Sequence, residues 1–197
     1  ASNPQAHIGA ASKLFAAQAP EVRLHLHVAP LNSIERGVLD GQFQVGIIPG
    51  HRSSAVLTYD ELFTETMFLY ASADHPLFSA RAKQPPQSWE ALRHYAFAGL
   101  GYHSPNMELS QQVKLSRAAT GYDQESIATL ILSGCFLGFL PDHYAENFVR
   151  QGRMHAVRPE LFTYHCSFFS IVRTSPQPAR VTQAFQVALH KAHIHET

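Results

Sequence analysis

Val22-Arg23-Leu24-His25-Leu26-His27-Val28, then Asn32 to Gly41, then Phe43-Gln44-Val45-Gly46-Ile47-Ile48-Pro49, are the residues that decide the fold class. The first stretch alternates apolar and polar side chains at every step, the period of a strand with one wet face. In the second, Asn32 and Glu35 stand at capping-box spacing, Ile34, Val38 and Leu39 form an apolar stripe, and Gly41 supplies a stop, which predicts a short helix. The third is apolar apart from Gln44 and ends at Pro49-Gly50, as expected of a strand covered on both faces in a parallel sheet. Upstream, Asn3-Pro4 makes an N-cap and first turn, and Ile8, Ala11, Leu14 and Phe15 share one helical face before Ala19-Pro20. Helix, strand, helix, strand in that order specifies an α/β fold.

Further along, Leu57 to Tyr70 reads as extended chain, and Pro76, Pro85 and Pro86 bracket a polar connector after which a second unit begins. Ser88 caps a short helix, Tyr95 to Leu100 is an apolar strand, and Gly101-Tyr102-His103-Ser104-Pro105-Asn106 is a turn-rich loop before a helix starting near Met107. Asp123 caps an amphipathic helix with Ile127, Leu130 and Ile131 inward, Gly134 ends it, and Cys135 to Leu140 is a buried strand stopped by Pro141. This repeats the plan of the first unit. A helix from Asp142 to Arg150, a long strand from Tyr164 to Val172 and a last helix striped by Val181, Phe185, Ala188, Leu189 and Ala192 complete the chain.

Its 197 residues suffice for a sizeable core, and Lys+Arg and Asp+Glu both number 15, so there is no basic field to bind nucleic acid directly. The two cysteines, Cys135 and Cys166, lie inside apolar runs, which suits a reducing compartment, and a cytoplasmic location is expected. No stretch approaches the roughly 18 uninterrupted apolar residues of a membrane span, so no membrane partner is expected. The sequence opens at Ala1, directly in a helix signal, and reads as a piece of a longer polypeptide.

Pro20-Glu21-Val22-Arg23-Leu24, Ile34 to Gly41, Gln44 to Pro49, His75-Pro76-Leu77 and Glu125 to Pro141, in this order and spacing, resemble the effector-binding domain of LysR-type transcriptional regulators. The resemblance covers essentially the whole chain. It implies a two-lobed fold like that of type-2 periplasmic binding proteins, with two crossover segments and the effector in the cleft between lobes. Lobe I would comprise 1–70 plus 170–197 and lobe II 71–169. It also implies a homodimer or tetramer that reaches DNA only through a helix-turn-helix domain absent from this sequence. Two departures stand out: the family's first strand, due before Asn3, is missing, and Gln44 replaces a common acidic residue. A solute-binding protein of a transport system has the same fold and is the alternative.

Three pairs at helix starts, Ser2 with Asn3, Asn32 with Ser33, and Ser104 with Asn106, would bring hydroxyls, amides and backbone N–H groups toward a ligand if the lobes face each other. His103 adds a titratable donor, and Tyr102 and Phe139 are candidate apolar wall. With helix N-termini and no Lys or Arg in these loops, the expected effector is a carboxylate or other small anion, with Glu35 and Glu108 projecting away from it. Thirteen histidines invite a metal reading, above all His25 with His27 and His193 with His195. No cysteine or carboxylate stands beside them at ligand spacing, which favours a polar sheet surface and a loose tail over a metal site. Cys135 begins an apolar strand with no base nearby and is expected to be a packed core thiol. Gly99-Leu100-Gly101 lacks the third glycine of a dinucleotide turn. Neither cofactor nor catalysis is expected.

Overall fold

The computed structural model of the chain describes residues 6–78 and 86–194. They belong to two compact units, one formed by Ala1–Thr64 with Ser167–Thr197, the other by Glu65–Cys166. Two long strands, β2 (Leu57–Ser72) and β7 (Thr163–Arg173), each pass from one unit into the other.

In the first unit α1 (Ile8–Gln18) packs on α7 (Arg180–Ile194) around Ala11, Leu189 and Ala192, and Phe15 meets Phe185 edge-on at 5.4 Å. The helix begins at Ile8, with His7 at the cap position and no side-chain cap, and the predicted start at Asn3-Pro4 lies outside the described residues. β1 (Gly46–Pro49) pairs antiparallel with β7, Gly46 opposite Ile171, and not in the parallel sheet that its apolar run suggested. Such a run reports burial on both faces and is silent on strand direction.

Two further expectations fail in this unit. Residues 22–28 form no strand, and Val22, Leu24, Leu26 and Val28 are 40%, 40%, 67% and 83% exposed. Alternation prepares a strand, but the ladder needs a partner, and no strand among the described residues pairs with this stretch. α2 (Leu31–Leu39) has Pro30, not Asn32, at its N-cap, so Asn32 and Ser33 are exposed residues of its first turn. Glu35 then falls on the buried stripe with Leu31 and Val38 instead of closing a capping box. Gly41, at φ +75°, is the stop that the sequence predicts.

The second unit is built on β5 (Leu137–Pro141), which pairs antiparallel with β2, Met67 opposite Pro141, and parallel with β3 (Ala96–Leu100), Phe97 opposite Leu137. β4 (Ser116–Gly121) runs parallel to β3, and β6 (Met154–Ala156) antiparallel to β2. α5 (Gln124–Leu132) covers this sheet through Ile127 and Ile131, with Tyr70, Leu140 and Met154 in the same core. Each large side chain so buried contributes about 1.5–3 kcal/mol. Gly138 permits the contact: a Cβ there would lie 2.9 Å from Ile131 Cδ1. α3 (Trp89–Leu92), α4 (Pro105–Gln112) and α5 start at Ser88, Ser104 and Asp123, whose side chains accept from the N–H three residues on; Ser88 and Asp123 are the predicted caps, whereas α4 starts two residues before the expected Met107. α6 (Asp142–Arg150) follows β5 directly. Cys135, expected in the core, is exposed because β5 begins only at Leu137; Cys166 is buried. No helix among the described residues is long and apolar enough to cross a membrane.

Candidate functional site

In the second unit the carboxyl ends of the neighbouring parallel strands β3 and β5 lead into the N-termini of α4 and α6. Open α/β sheets bind ligands at this edge, where strand ends and helix starts leave backbone polar groups unpaired. The chain after Leu100 turns through residues 101–104. Ser104 caps α4: its Oγ accepts from Met107 N–H at 3.4 Å and donates to the Tyr102 carbonyl at 3.2 Å. Asn106 Oδ1 accepts from Leu100 N–H at 3.1 Å, so this amide closes the loop across its base. Both side chains are buried, at 2% and 3% exposure. Their oxygens are therefore occupied by local structure, and what faces a ligand here is the loop that they shape.

Asn106 also faces the Tyr164 phenol, which brings β7 to this loop. Around that contact stand Tyr102, Cys166 and Glu65. Burial, with Cys166 and Asp123 adding to it, pushes the Tyr102 phenol up to about 12. Burial and then Cys166 push Tyr164 up further, against the lowering influence of the Asn106 amide. Burial and the Glu65 carboxylate push the Cys166 thiol up to about 12. At neutral pH all three are thus uncharged donors, and Cys166 is the opposite of an activated nucleophile. Glu65, 1% exposed on β2, pairs through Oε1 with His143 Nε2 at 3.5 Å, and His143 Nδ1 lies 3.4 Å from Asp142 Oδ1 at the start of α6.

The sequence-predicted residues separate accordingly. Tyr102, Ser104 and Asn106 come together. His103 turns outward to Glu108, 3.4 Å away, both about half exposed. Phe139 is 3% exposed within the aromatic core, edge-on to Tyr164 at 5.1 Å, so it supports the site from behind. Asn32 and Ser33 belong to the first unit, and Ser2 and Asn3 lie outside the described residues. Sequence reasoning missed Glu65, Tyr164 and Cys166: β2 also carries Asp60, Glu61, Thr64 and Thr66, and β7 also carries Thr163, His165 and Ser167, so no local signal sets these three apart. In the first unit Glu35 is a buried acid rather than an outward one, with His51 Nε2 at 3.3 Å and Arg52 Nη2 at 3.1 Å. His193, expected in a loose tail, stacks on Phe63 within α7, and His195 lies outside the described residues. Among the described residues no three metal-ligating side chains cluster.

Residues 4–193 match the family model of the LysR substrate binding domain. The HTH-type transcriptional activator BauR of Pseudomonas aeruginosa is 34% identical over 186 residues, 94% of this chain and 60% of BauR. The chain thus spans about three fifths of the length of that relative. Among solved structures, the effector-binding domain of QuiR in complex with shikimate superposes with TM-score 0.78 at 10% identity, covering 96% of this chain and 91% of that one. The regulatory domain of Synechocystis PCC6803 CcmR in complex with 2-PG gives 0.74 at 17% identity, covering 96% and 92%. These two share the periplasmic-binding-protein-like fold with the chain. The transport-protein alternative is not favoured, since the matching family is that of transcriptional regulators. On its sequence and its fold alike, the chain belongs to the LysR substrate-binding domain family.

Proposed function

We propose that this chain senses a small carboxylate-bearing effector at the carboxyl end of β3, and that the longer regulator to which it belongs converts binding into control of DNA binding. One observation carries this reading: Tyr102, Asn106, Tyr164 and Cys166, from two separate stretches of sequence, meet beside the N-terminus of α4 as uncharged donors. Neutral donors next to a helix N-terminus suit an anion without a fixed cation, at moderate affinity and low salt sensitivity. The QuiR domain, which shares the fold, holds shikimate, itself a carboxylate. The effector acts by binding one conformation of the domain better than another, with a coupling of about 1–3 kcal/mol.

A thermal-shift panel of size-matched carboxylates, amines and neutral sugars tests the reading. A carboxylate at a hundred times its Kd stabilises the chain by about 2.7 kcal/mol. Tyr102→Phe and Tyr164→Phe, which keep the rings and remove one hydroxyl each, weaken that acid by about 0.5–1.5 kcal/mol per site. Stabilisation by amines or sugars alone, or full affinity in both variants, refutes it. Self-association fits the same family, and the exposed apolar side chains of 22–28 supply a surface for a second copy. Sedimentation of a monomer at micromolar concentration refutes that part.

A further inference from the structure

We infer that Arg117, on β4 and outside every loop singled out by sequence, is the positioning residue of the β3–α4 loop. The inference rests on the reading of that loop as part of the effector site. The guanidinium ties the start of the loop to the helix that follows it. Nη1 donates to the carbonyl of Leu100, the last residue of β3, at 3.0 Å, and Nη2 donates to Ser110 Oγ, inside α4, at 3.3 Å. Ser110 Oγ in turn donates to the Met107 carbonyl at 2.9 Å. Leu100 is thereby held twice, through its carbonyl by Arg117 and through its N–H by Asn106 Oδ1 at 3.1 Å. The short connection between these anchor points closes on itself: Ser104 bonds Tyr102 and Met107, and Gly101 N–H reaches the Gly121 carbonyl at 2.9 Å.

A planar fork with fixed donor directions can bridge two acceptors at once, whereas a lysine ammonium on a flexible stem holds one at a time with less definition. The backbone makes room for the fork. A Cβ on Gly99 would lie 2.8 Å from Arg117 Nη2 and 3.0 Å from Cζ, so the guanidinium lies across a residue that has no side chain to displace it. The consequence is preorganisation: Tyr102 and the capped start of α4 are ordered before any effector arrives, and the entropy of ordering them does not subtract from affinity.

Hydrogen exchange on the whole chain, with no effector added, tests this with Arg117→Met and Arg117→Lys. Arg117→Met is expected to speed exchange of the Gly101 and Met107 amides by about tenfold, as for loss of a hydrogen bond to a charged group. The Ser126 amide, capped by Asp123 at 2.7 Å in the same unit, keeps its rate within about twofold, the ordinary spread for sites that share no partner. Arg117→Lys gives an intermediate acceleration at the same two amides, and it supplies the reading should the methionine variant fail to fold. Unchanged exchange at Gly101 and Met107 in the readable variant, or equal acceleration at Ser126, overturns the inference. Failure of Tyr102→Phe to affect acid binding would instead remove the effector site and leave this result standing.

Discussion

Glu35→Ala is the most discriminating perturbation of the first unit, because the two possible environments of this residue predict different costs. On the surface of α2, as a capping partner, its loss would cost about 0.5–1 kcal/mol. In the structure its side chain is 7% exposed and flanked by His51, 1% exposed, and Arg52, 64% exposed. Arg52 can return to water, so its share is that of a surface pair, below about 1 kcal/mol. His51 cannot, and a buried polar group left without its partner costs about 1–3 kcal/mol. The sum, about 1–4 kcal/mol, overlaps the penalty of about 3–5 kcal/mol for removing one partner of a buried pair. Urea unfolding followed by far-UV circular dichroism measures it as a fall in midpoint at constant slope. Should the two units unfold separately, only the transition of the first moves. Glu35→Gln, which keeps volume and one acceptor, falls between. A cost below about 1 kcal/mol for Glu35→Ala, within the range of an exposed cap, refutes the buried-pair reasoning.

Asp123→Ala removes the α5 cap, in which Oδ1 accepts from Ser126 N–H at 2.7 Å and Ser126 Oγ at 2.6 Å; it should cost about 1 kcal/mol, or about 2–4 °C in Tm. The Ser126 hydrogen bonds depress the Asp123 pKa below its ordinary value of 3.8, so this stabilisation is present above that value and lost as pH falls through the folded pKa. The gap between wild type and variant should therefore close in acid, and a constant gap down to the lowest pH at which the chain is folded contradicts it. The raised groups predict the opposite limb: Cys166 moves from 9.0 to about 12, and Tyr70 and Tyr102 from 10.0 to about 12. Each stays protonated in the folded chain after its unfolded counterpart ionises, so stability falls as pH rises from about 9 towards 12. Equilibrium unfolding between those pH values should show the decline, and a flat profile contradicts it. With Ellman's reagent at pH 8, exposed Cys135 reacts at once and buried Cys166 only on opening of the fold, so one equivalent is titrated natively and two in denaturant. Two native equivalents would place Cys166 at the surface.

The legible features of this protein are those set by chemistry within a few residues. Ser88, Ser104 and Asp123 cap helices because an oxygen on a short side chain reaches the N–H three positions on, wherever the helix packs. Gly41, Gly134 and Gly152 stop helices because only a residue without Cβ takes a φ near +70° cheaply. Those signals, with the apolar stripes between them, suffice for an α/β chain of two similar units. Tertiary structure alone decided the rest. Residues 22–28 carry the alternation of a strand, yet a strand exists only when another backbone supplies the matching hydrogen bonds. Asn32 and Glu35 have the spacing of a capping box, but Pro30 starts the helix earlier, and His51 and Arg52, from beyond β1, draw the carboxylate inward. Nothing local to Glu65, Tyr102, Asn106, Tyr164 or Cys166 marks them as neighbours. The pairing of β2 and β3 with β5, and the passage of β7 beside them, gather these groups at one sheet edge, because strand order is fixed by which apolar faces can be buried together.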